Sequence, residues 1–556
     1  MRKYTSITTL FLVFFSFPLY SQWNTNITQN TPICVATAKQ VDPRLASDGK
    51  GGAYIAWKDF RNGASNPDIF IQRIDKNGNV MWTLDGVPLC TQSADQSTPA
   101  IMLDPQNGAI VAWSDWRSGI ERDLYAQKID SNGVVQWTLD GAIVSDKPIR
   151  EHNEKVASDE KGGVFVLWEQ QSGGWDVWIQ RLDGGGQRKF GNGGKAICSV
   201  SSNKINGKLQ KDNRNGVFAV WQDLRNGSDY DVYAQRVSYN SIFYWNSAGV
   251  PICTASGTQA NVKIDPDTIA DGIYITWVDD RNGNNDIYAQ RLDSLGNVMW
   301  GTNGVPVCAA MGSQSAPDIV SNASVGGGVI VTWKDTRNGN TDIYVQKILP
   351  NGTPEWTLDG VPVCTTTAAQ LNPNIVSDKK GGAIITWQDS INNNWDIRTQ
   401  RIDGNGLPAW TIDGIDVSLA TGAQTGPKHV SDDMGGAIYV WEDARTGTRD
   451  LYAHHIEDTT STLSLIHANT PIALSYYPNP FHNQLQVHYT LTKPSLITLS
   501  LYNALGQMVW QSQSLQNEGS QQQEIKVKNL SLAAGIYVLQ VKSDTFVANY
   551  KVMKID

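Results

Sequence analysis

The sequence predicts an all-β protein, an eight-bladed β-propeller followed by a small Ig-like β-sandwich. Three observations carry this expectation: a tryptophan phrase recurs at a near-fixed period, the segments between turns have strand composition, and the two ends of the repeat array complement each other. The recurring residues are Trp57, Trp113, Trp168, Trp221, Trp277, Trp333, Trp387 and Trp441, and successive numbers differ by 53 to 56. Repetition on this scale marks a solenoid, a propeller or an array. A residue present in every copy is explained first by what every copy must do, which is fold and stack.

One copy shows the elements in order. Asn374–Asp378 is a short strand ending in a turn, and Gly381–Trp387 is a second strand. Asp396–Asp403 is a third, and Gly406–Trp410 leads into a fourth. Asn77-Gly78, Asn132-Gly133, Asn351-Gly352 and Asn405-Gly406 occupy one recurring hairpin, where glycine accepts positive φ. The apolar runs are short and rich in Val, Ile, Tyr and Trp, and no sustained 3.6-residue stripe competes with them. Four strands of about five or six residues plus turns fill one period. The second strand, as in Val329-Ile330-Val331-Thr332-Trp333, is apolar on both faces. Such a strand needs cover on both sides, and neighbouring blades supply it.

The ends predict closure. The last copy has Trp441 and Asp450-Leu451-Tyr452 but lacks the final strand segment, whereas Trp23 through Pro32-Ile33-Cys34 stands before the first full copy. That segment is expected to add the outermost strand of the eighth blade and remove an open edge. The domain boundaries expected are a signal peptide at 1–21, the propeller at 22–458, a polar linker at 459–472 and a sandwich at 473–556.

The 556 residues are 40% hydrophobic and 18% charged, ordinary for a globular protein. A net charge of −9 argues against a nucleic-acid surface, which needs a basic footprint. Met1–Tyr4 is basic, Leu10–Phe15 is apolar and too short to span a bilayer, and Ser21 precedes Gln22. This is the layout of a secretory signal cleaved between Ser21 and Gln22, and no transmembrane segment is expected elsewhere. Export would permit disulfides. Yet Cys90, Cys253, Cys308 and Cys364 each follow a second repeat tryptophan by eight residues, Cys198 follows Phe190 likewise, and Ser145 and Ser418 fill the slot in two further copies. A slot that accepts Cys or Ser reads as a small buried site holding a free thiol.

The last 85 or so residues carry a family resemblance. Tyr477-Pro478-Asn479-Pro480, the Gly506 turn, Gly535-Ile536-Tyr537 and the terminal lysines Lys551 and Lys554 stand in order and spacing similar to the type A C-terminal sorting domain of the type IX secretion system. The resemblance implies a Bacteroidetes-type protein that crosses the outer membrane. Its partners would be the type IX machinery and its sorting protease, and its destination the medium or the outer cell surface. It implies nothing about residues 22–458.

In those residues the motif W-x-D-x-R-x-G recurs, as at Trp57/Asp59/Arg61/Gly63. It reads either as a ring of arginines for an anionic glycan or, the favoured reading, as turn chemistry with Asp and Arg paired. Asp75-Lys76-Asn77-Gly78-Asn79 faintly resembles a calcium loop but lacks the bidentate Glu, so a hairpin is expected and no cofactor or metal is assigned. No catalytic motif is found, and a non-enzymatic, monomeric binding protein for glycan or protein is favoured over a glycan-active hydrolase or lyase. Function in a repeat protein is expected where copies diverge. Copy three reads Glu169-Gln170-Gln171-Ser172-Gly173-Gly174-Trp175 and adds Trp178, copy seven reads Asp389-Ser390-Ile391-Asn392-Asn393-Asn394-Trp395, and copy two adds Trp116. Trp116, Glu169, Trp175, Trp178, Asn393 and Trp395 are therefore the candidate ligand contacts, since aromatic and polar side chains suit sugars. Loop drift is the other reading of the same divergence.

The thiol assignment is checked by alkylating the unfolded, unreduced protein. All six cysteines are expected to be modified, and disulfide-linked peptides in non-reducing mass spectrometry would overturn it.

Overall fold

The computed structural model describes residues 23–322, 326–391, 394–458, 474–477, 481–491, 493–503, 508–527, 532–533, 535–543 and 547–554. The expected signal peptide with Ser21 and Gln22, and the expected linker, lie outside these residues. Every regular element among the described residues is a β-strand. The chain divides into two compact units, Met1–Asp458 and Thr459–Asp556.

In the first unit β1 (Thr31–Cys34) precedes a four-stranded antiparallel sheet of β2 (Gln40–Ser47), β3 (Ala53–Asp59), β4 (Asp68–Ile74) and β5 (Val87–Cys90), paired in that order. Six further sheets repeat this order, and an eighth is built from Gln424–Ser431, Ala437–Asp443 and Asp450–Ile456 with β1 as its fourth strand. The first strand of each sheet lies against the first strand of the next, and Gln424–Ser431 returns to β2. The arrangement is propeller-like. Second strands are buried on both faces, as their composition requires: Ala53 through Trp57 are all inaccessible.

β1 closes the ring from the N-terminal end. Thr31 pairs with Ala453 and Pro32 with Tyr452. Ile33 and Cys34 enter a core cluster shared with Trp57, Phe70, Leu451 and Ala453. Asn30 anchors the approach, donating to the Val417 carbonyl at 3.0 Å and accepting from Ser418 Oγ at 2.9 Å. The chain's first described residues thus hydrogen-bond to residues almost 400 positions away.

Glycine is required where β5 begins. Gly86 has φ +89°, and a Cβ there would fall 2.3 Å from the Trp57 ring. The repeated Asp-Gly step is therefore a contact with the buried indole as well as a turn.

All eight first strands share a feature not legible as a turn. In each, the third residue is left-handed: Asp42, Thr98, Asn153, Asn206, Asn261, Ala316, Asn372 and Gly426, with φ between 51° and 62°. The register with the second strand slips at each of these points, for instance between Val41 and Arg44. These are β-bulges, which re-aim the side chains that follow them. Asn and Asp tolerate this conformation; Thr98, being β-branched, adopts it rarely.

The second unit has two antiparallel sheets among its described residues. One holds Leu474–Tyr477, Gln484–Leu491 and Gly519–Lys526, and the other Met508–Gln516, Ser495–Tyr502, Gly535–Lys542 and Val547–Lys554. Their facing side chains form one core, with Leu485, Val487 and Ile525 from the first sheet and Leu499, Leu539 and Val541 from the second.

Ile33→Ala tests closure. Truncating a residue only 2% exposed is expected to destabilise the first unit by about 2–4 kcal/mol, read as a lowered urea midpoint. An unchanged midpoint would show that β1 is dispensable.

Candidate functional site

The repeated polar residues of the first unit are held in structural bonds. In seven copies the buried indole N–H donates to the Asp two residues on, at 2.7 Å for Trp57–Asp59 and 2.7 Å for Trp277–Asp279. In six, the Arg two residues further pairs with that Asp at 2.5–2.6 Å. The same guanidinium stacks over an aromatic ring of the third strand, 3.7 Å away for Arg117 on Tyr125. It also donates to the outer strand of the preceding sheet, as Arg117 Nη2 does to Cys90 Sγ at 3.0 Å. The six cysteines are free and buried in these inter-sheet contacts, and burial pushes the thiols of Cys90, Cys253, Cys308 and Cys364 up to about 12.

Near the other end of the strands a second set of pairs recurs. Arg73 meets Asp48 at 2.8 Å, Arg236 meets Asp212 at 2.7 Å, Arg291 meets Asp267 at 2.6 Å, and His455 takes the same place on Asp432 at 2.9 Å. The Gln before each of these arginines donates to the following tryptophan segment, as Gln72 Nε2 does to Thr83 O at 2.8 Å. The calcium-like Asp75 loop is a hairpin in which Oδ1 accepts from Asn77 N and Asn79 N, both at 2.9 Å.

The two divergent copies rebuild the cation by other routes. In the third sheet Gln170 stands where the other copies have Asp, and a turn arginine is absent. There Lys147, from the end of the preceding sheet, places its Nζ 3.5 Å from the Trp178 ring. The buried carboxyl nearby comes from Glu151, where six of the seven other first strands begin with Gln, and Ser145 Oγ donates to it at 2.6 Å. In the seventh sheet Arg398 replaces both the turn arginine and the third-strand tyrosine, donating to Gly414 O at 3.0 Å and meeting Asp416 at 3.0 Å.

The candidate ligand contacts are dispersed. Glu169, Trp175 and Trp178 share the third sheet, Trp116 belongs to the second and Trp395 to the seventh, and Asn393 lies outside the described residues. Glu169 is buried and binds the Asn153 side-chain amide and the Asn206 backbone N–H, the latter at 2.7 Å, thereby capping the bulge of the next sheet. Trp175 is half-buried, edge-on to His152 with centroids 4.5 Å apart. Trp116 is 40% exposed. Trp395 is half-buried, and its carbonyl accepts from Gln424 N at 2.6 Å.

The groups left over line the axis of the ring. Two residues past each bulge stand Arg44, Ala100, Lys155, Lys208, Lys263, Asp318, Asn374 and Lys428, all partly accessible. Two cavities meet this wall, one of about 340 Å³ lined by Lys208, Lys263, Asn374 and Lys428, the other of about 330 Å³ lined by Arg44, Ala100 and Lys155. Among the described residues only Lys263 of the five cations has a carboxylate partner, Asp318 at 2.9 Å. Lys155 donates to Asn153 Oδ1 at 2.6 Å and to backbone carbonyls, and Lys208 to Asn206 O at 3.3 Å. Burial, then the charges of Lys155 and Lys263, push Lys208 down to about 7. Burial, then Arg44 and Lys263, push Lys428 down to about 8. Sequence reasoning missed this column because it sought function in loops. Aligning the copies on the first strand would have shown five cations at one position.

In the second unit, Phe481, directly after the Tyr-Pro-Asn-Pro segment, is buried and its backbone bridges to Lys554 of the last strand. Tyr537 is buried and its hydroxyl donates to Ala533 O at 2.8 Å. Gly535 opens the same strand as Tyr537. Pro478, Asn479, Pro480 and Gly506 lie outside the described residues, as do the side chains of Tyr477 and Lys551. Residues 475–555 match the family model of the secretion system C-terminal sorting domain. The tail is a type IX sorting domain. It marks the chain for export to the cell surface or the medium. No curated protein matches the chain. Among solved structures, similarity extends to a protein of unknown function from Dyadobacter fermentans DSM 18053, at 10% identity over 77% of this chain and 97% of that one, TM-score 0.37. A PL25 ulvan lyase follows at 9% identity over 68% and 96%, TM-score 0.40. The α-L-arabinanase of Penicillium chrysogenum is similar at 10% identity over 53% and 90%, TM-score 0.30.

Burial raises the Glu151 carboxyl from 4.5 to about 8. The folded chain then holds this proton more tightly than the unfolded chain. The resulting stability is complete below the unfolded value and is lost as pH rises through about 8. Glu151→Gln is therefore expected to melt above the wild type by a margin that widens from pH 5 to pH 8. An equal margin at both pH values in thermal unfolding would refute the assignment.

Proposed function

We propose that the chain is a non-enzymatic binding protein delivered to the cell surface or medium by its sorting tail. In this reading residues 22–458 form an eight-bladed propeller acting as a monomer, and residues 473–556 an Ig-like sandwich read by the type IX machinery and its sorting protease. The ligand is a glycan, taken at the axial channel, with the aromatic residues of the third blade as a secondary contact. One observation carries the reading. The repeated Asp and Arg residues are engaged in bonds that stack the sheets, whereas the cations and amides of the channel wall face accessible space. Sites of this kind hold a ligand by a few placed polar groups in a preformed cavity.

A glycan-active lyase or hydrolase at the same mouth is the second reading, and one observation favours it. Lys208, pushed down to about 7, lies in the range that suits a general base. Fold does not choose between the two. Incubating the mature protein on a glycan array, and separately following release of new reducing ends and of unsaturated products, distinguishes them. Binding without turnover is expected. Turnover abolished by Lys208→Ala would establish the second reading in place of the first.

A further inference from the structure

We infer that the axial channel is a binding site for a multivalent oxyanion, one carrying two or more sulfate, phosphate or carboxylate groups, gripped by Arg44, Lys155, Lys208, Lys263 and Lys428. The inference deepens the binding reading and rests on its placement of the ligand in the channel.

Elsewhere in the first unit the repeated cations are matched to carboxylates within one copy, as Arg61 is to Asp59 and Arg73 to Asp48. In the channel that matching fails. Five of eight equivalent positions carry a cation and one, Asp318, a carboxylate. Asp318 is taken by Lys263. Asp265 accepts from Ser321 N at 2.7 Å and Gln210 Nε2 at 3.3 Å, and burial raises it to about 6. Glu154, among the residues lining the second cavity, is buried and accepts from Thr98 Oγ1 at 2.7 Å and Ser114 Oγ at 3.0 Å. Glu169 acts on Lys155 and Lys208, and Asp42 on Lys428, but neither forms an ion pair with them among the described residues.

The bulges explain how the cations converge. Each first strand slips register at its left-handed residue, and the residue two positions on lines one of the two cavities in seven of the eight strands. Like charges held together in a partly desolvated space repel each other and destabilise the fold. A bound anion would remove that penalty. The two cavities, about 340 and 330 Å³, lie at the lower end of the ligand-pocket range of about 300–1,000 Å³. Asn261 and Asn374 on the same wall add amide donors. Ammonium and guanidinium groups both form short charge-assisted bonds to sulfate, phosphate and carboxylate oxygens. Several of them around one axis select a ligand with more than one negative group.

The test is titration calorimetry of the mature protein with inorganic sulfate, pyrophosphate and dextran sulfate at low salt. Saturable binding of pyrophosphate is expected, weakened by added salt as screening requires. Lys208→Met with Lys428→Met is expected to weaken it at least tenfold, while Lys379→Met, an exposed control, leaves it unchanged. Because both channel substitutions remove like charges, the ligand-free double variant is expected to melt at or above the wild-type temperature. Should it melt lower, Arg44→Met with Lys155→Met repeats the test on the other cavity. Pyrophosphate binding identifies a free polyanion as sufficient, whereas binding of dextran sulfate alone assigns the charged groups to a glycan chain. Absence of binding to all three probes, or affinity unchanged in both double variants, overturns the inference. Neutral glycans bound on the array and retained by the variants would overturn it while leaving the binding reading intact, and an array without any bound glycan would overturn that reading itself.

Discussion

The first unit depends on one contact, the buried tryptophan whose indole N–H is held by an aspartate that is in turn held by an arginine. The indole fills the space between sheets and touches the glycine that begins the outer strand. Its N–H cannot be left unpaired in that space without a penalty of about 1–3 kcal/mol. The aspartate satisfies it, and the arginine satisfies the aspartate while reaching the outer strand of the preceding sheet, as Arg281 does by bonding both Asp279 and Cys253. Packing within a sheet and attachment between sheets are thus one network. That is why the same residue types return in nearly every copy.

The exceptions obey the same constraint. The third sheet has no turn arginine, and Lys147 places a cation on Trp178 from the neighbouring sheet. The seventh moves its arginine from the turn to the strand, where Arg398 reaches the Gly414 carbonyl. In the third sheet the Glu151 carboxyl, brought from the first strand, interacts with the Trp168 indole N–H in place of the missing aspartate. Divergence in these copies follows from keeping a cation near a buried aromatic. The groups available for a ligand are those that the stacking network does not use, and they lie on the first strands.

The two units answer to different demands. Residues 475–555 carry the export signal in a fold whose core is shared by two sheets, with Phe481 and Tyr537 buried in it. In the first unit the eighth sheet reaches the same four strands as the others, because β1 supplies its outer strand. Closure by residues from the far end of the sequence means that the eighth sheet is completed only when both ends are present.

Much of this was legible in the sequence. The period of the tryptophans, the alternation of short apolar runs with turn residues and the unmatched ends at Trp23–Cys34 and Asp450–Ile456 together specified strands, their order and the closing pair, because each is a local property of the chain. The role of the Trp-Asp-Arg phrase as scaffold was legible too, since a ligand site need not recur in every copy. Convergence was not legible. Lys208 and Lys428 are 220 positions apart in sequence and look like ordinary surface lysines there. Only the bulge at each third residue, and the stacking of eight first strands about one axis, turn such residues into a single wall. The left-handed turn at Thr98 or Ala316 has no local sequence signal, because neither residue prefers it. Local propensity therefore determined the elements and their closure, whereas tertiary packing alone decided which charges meet.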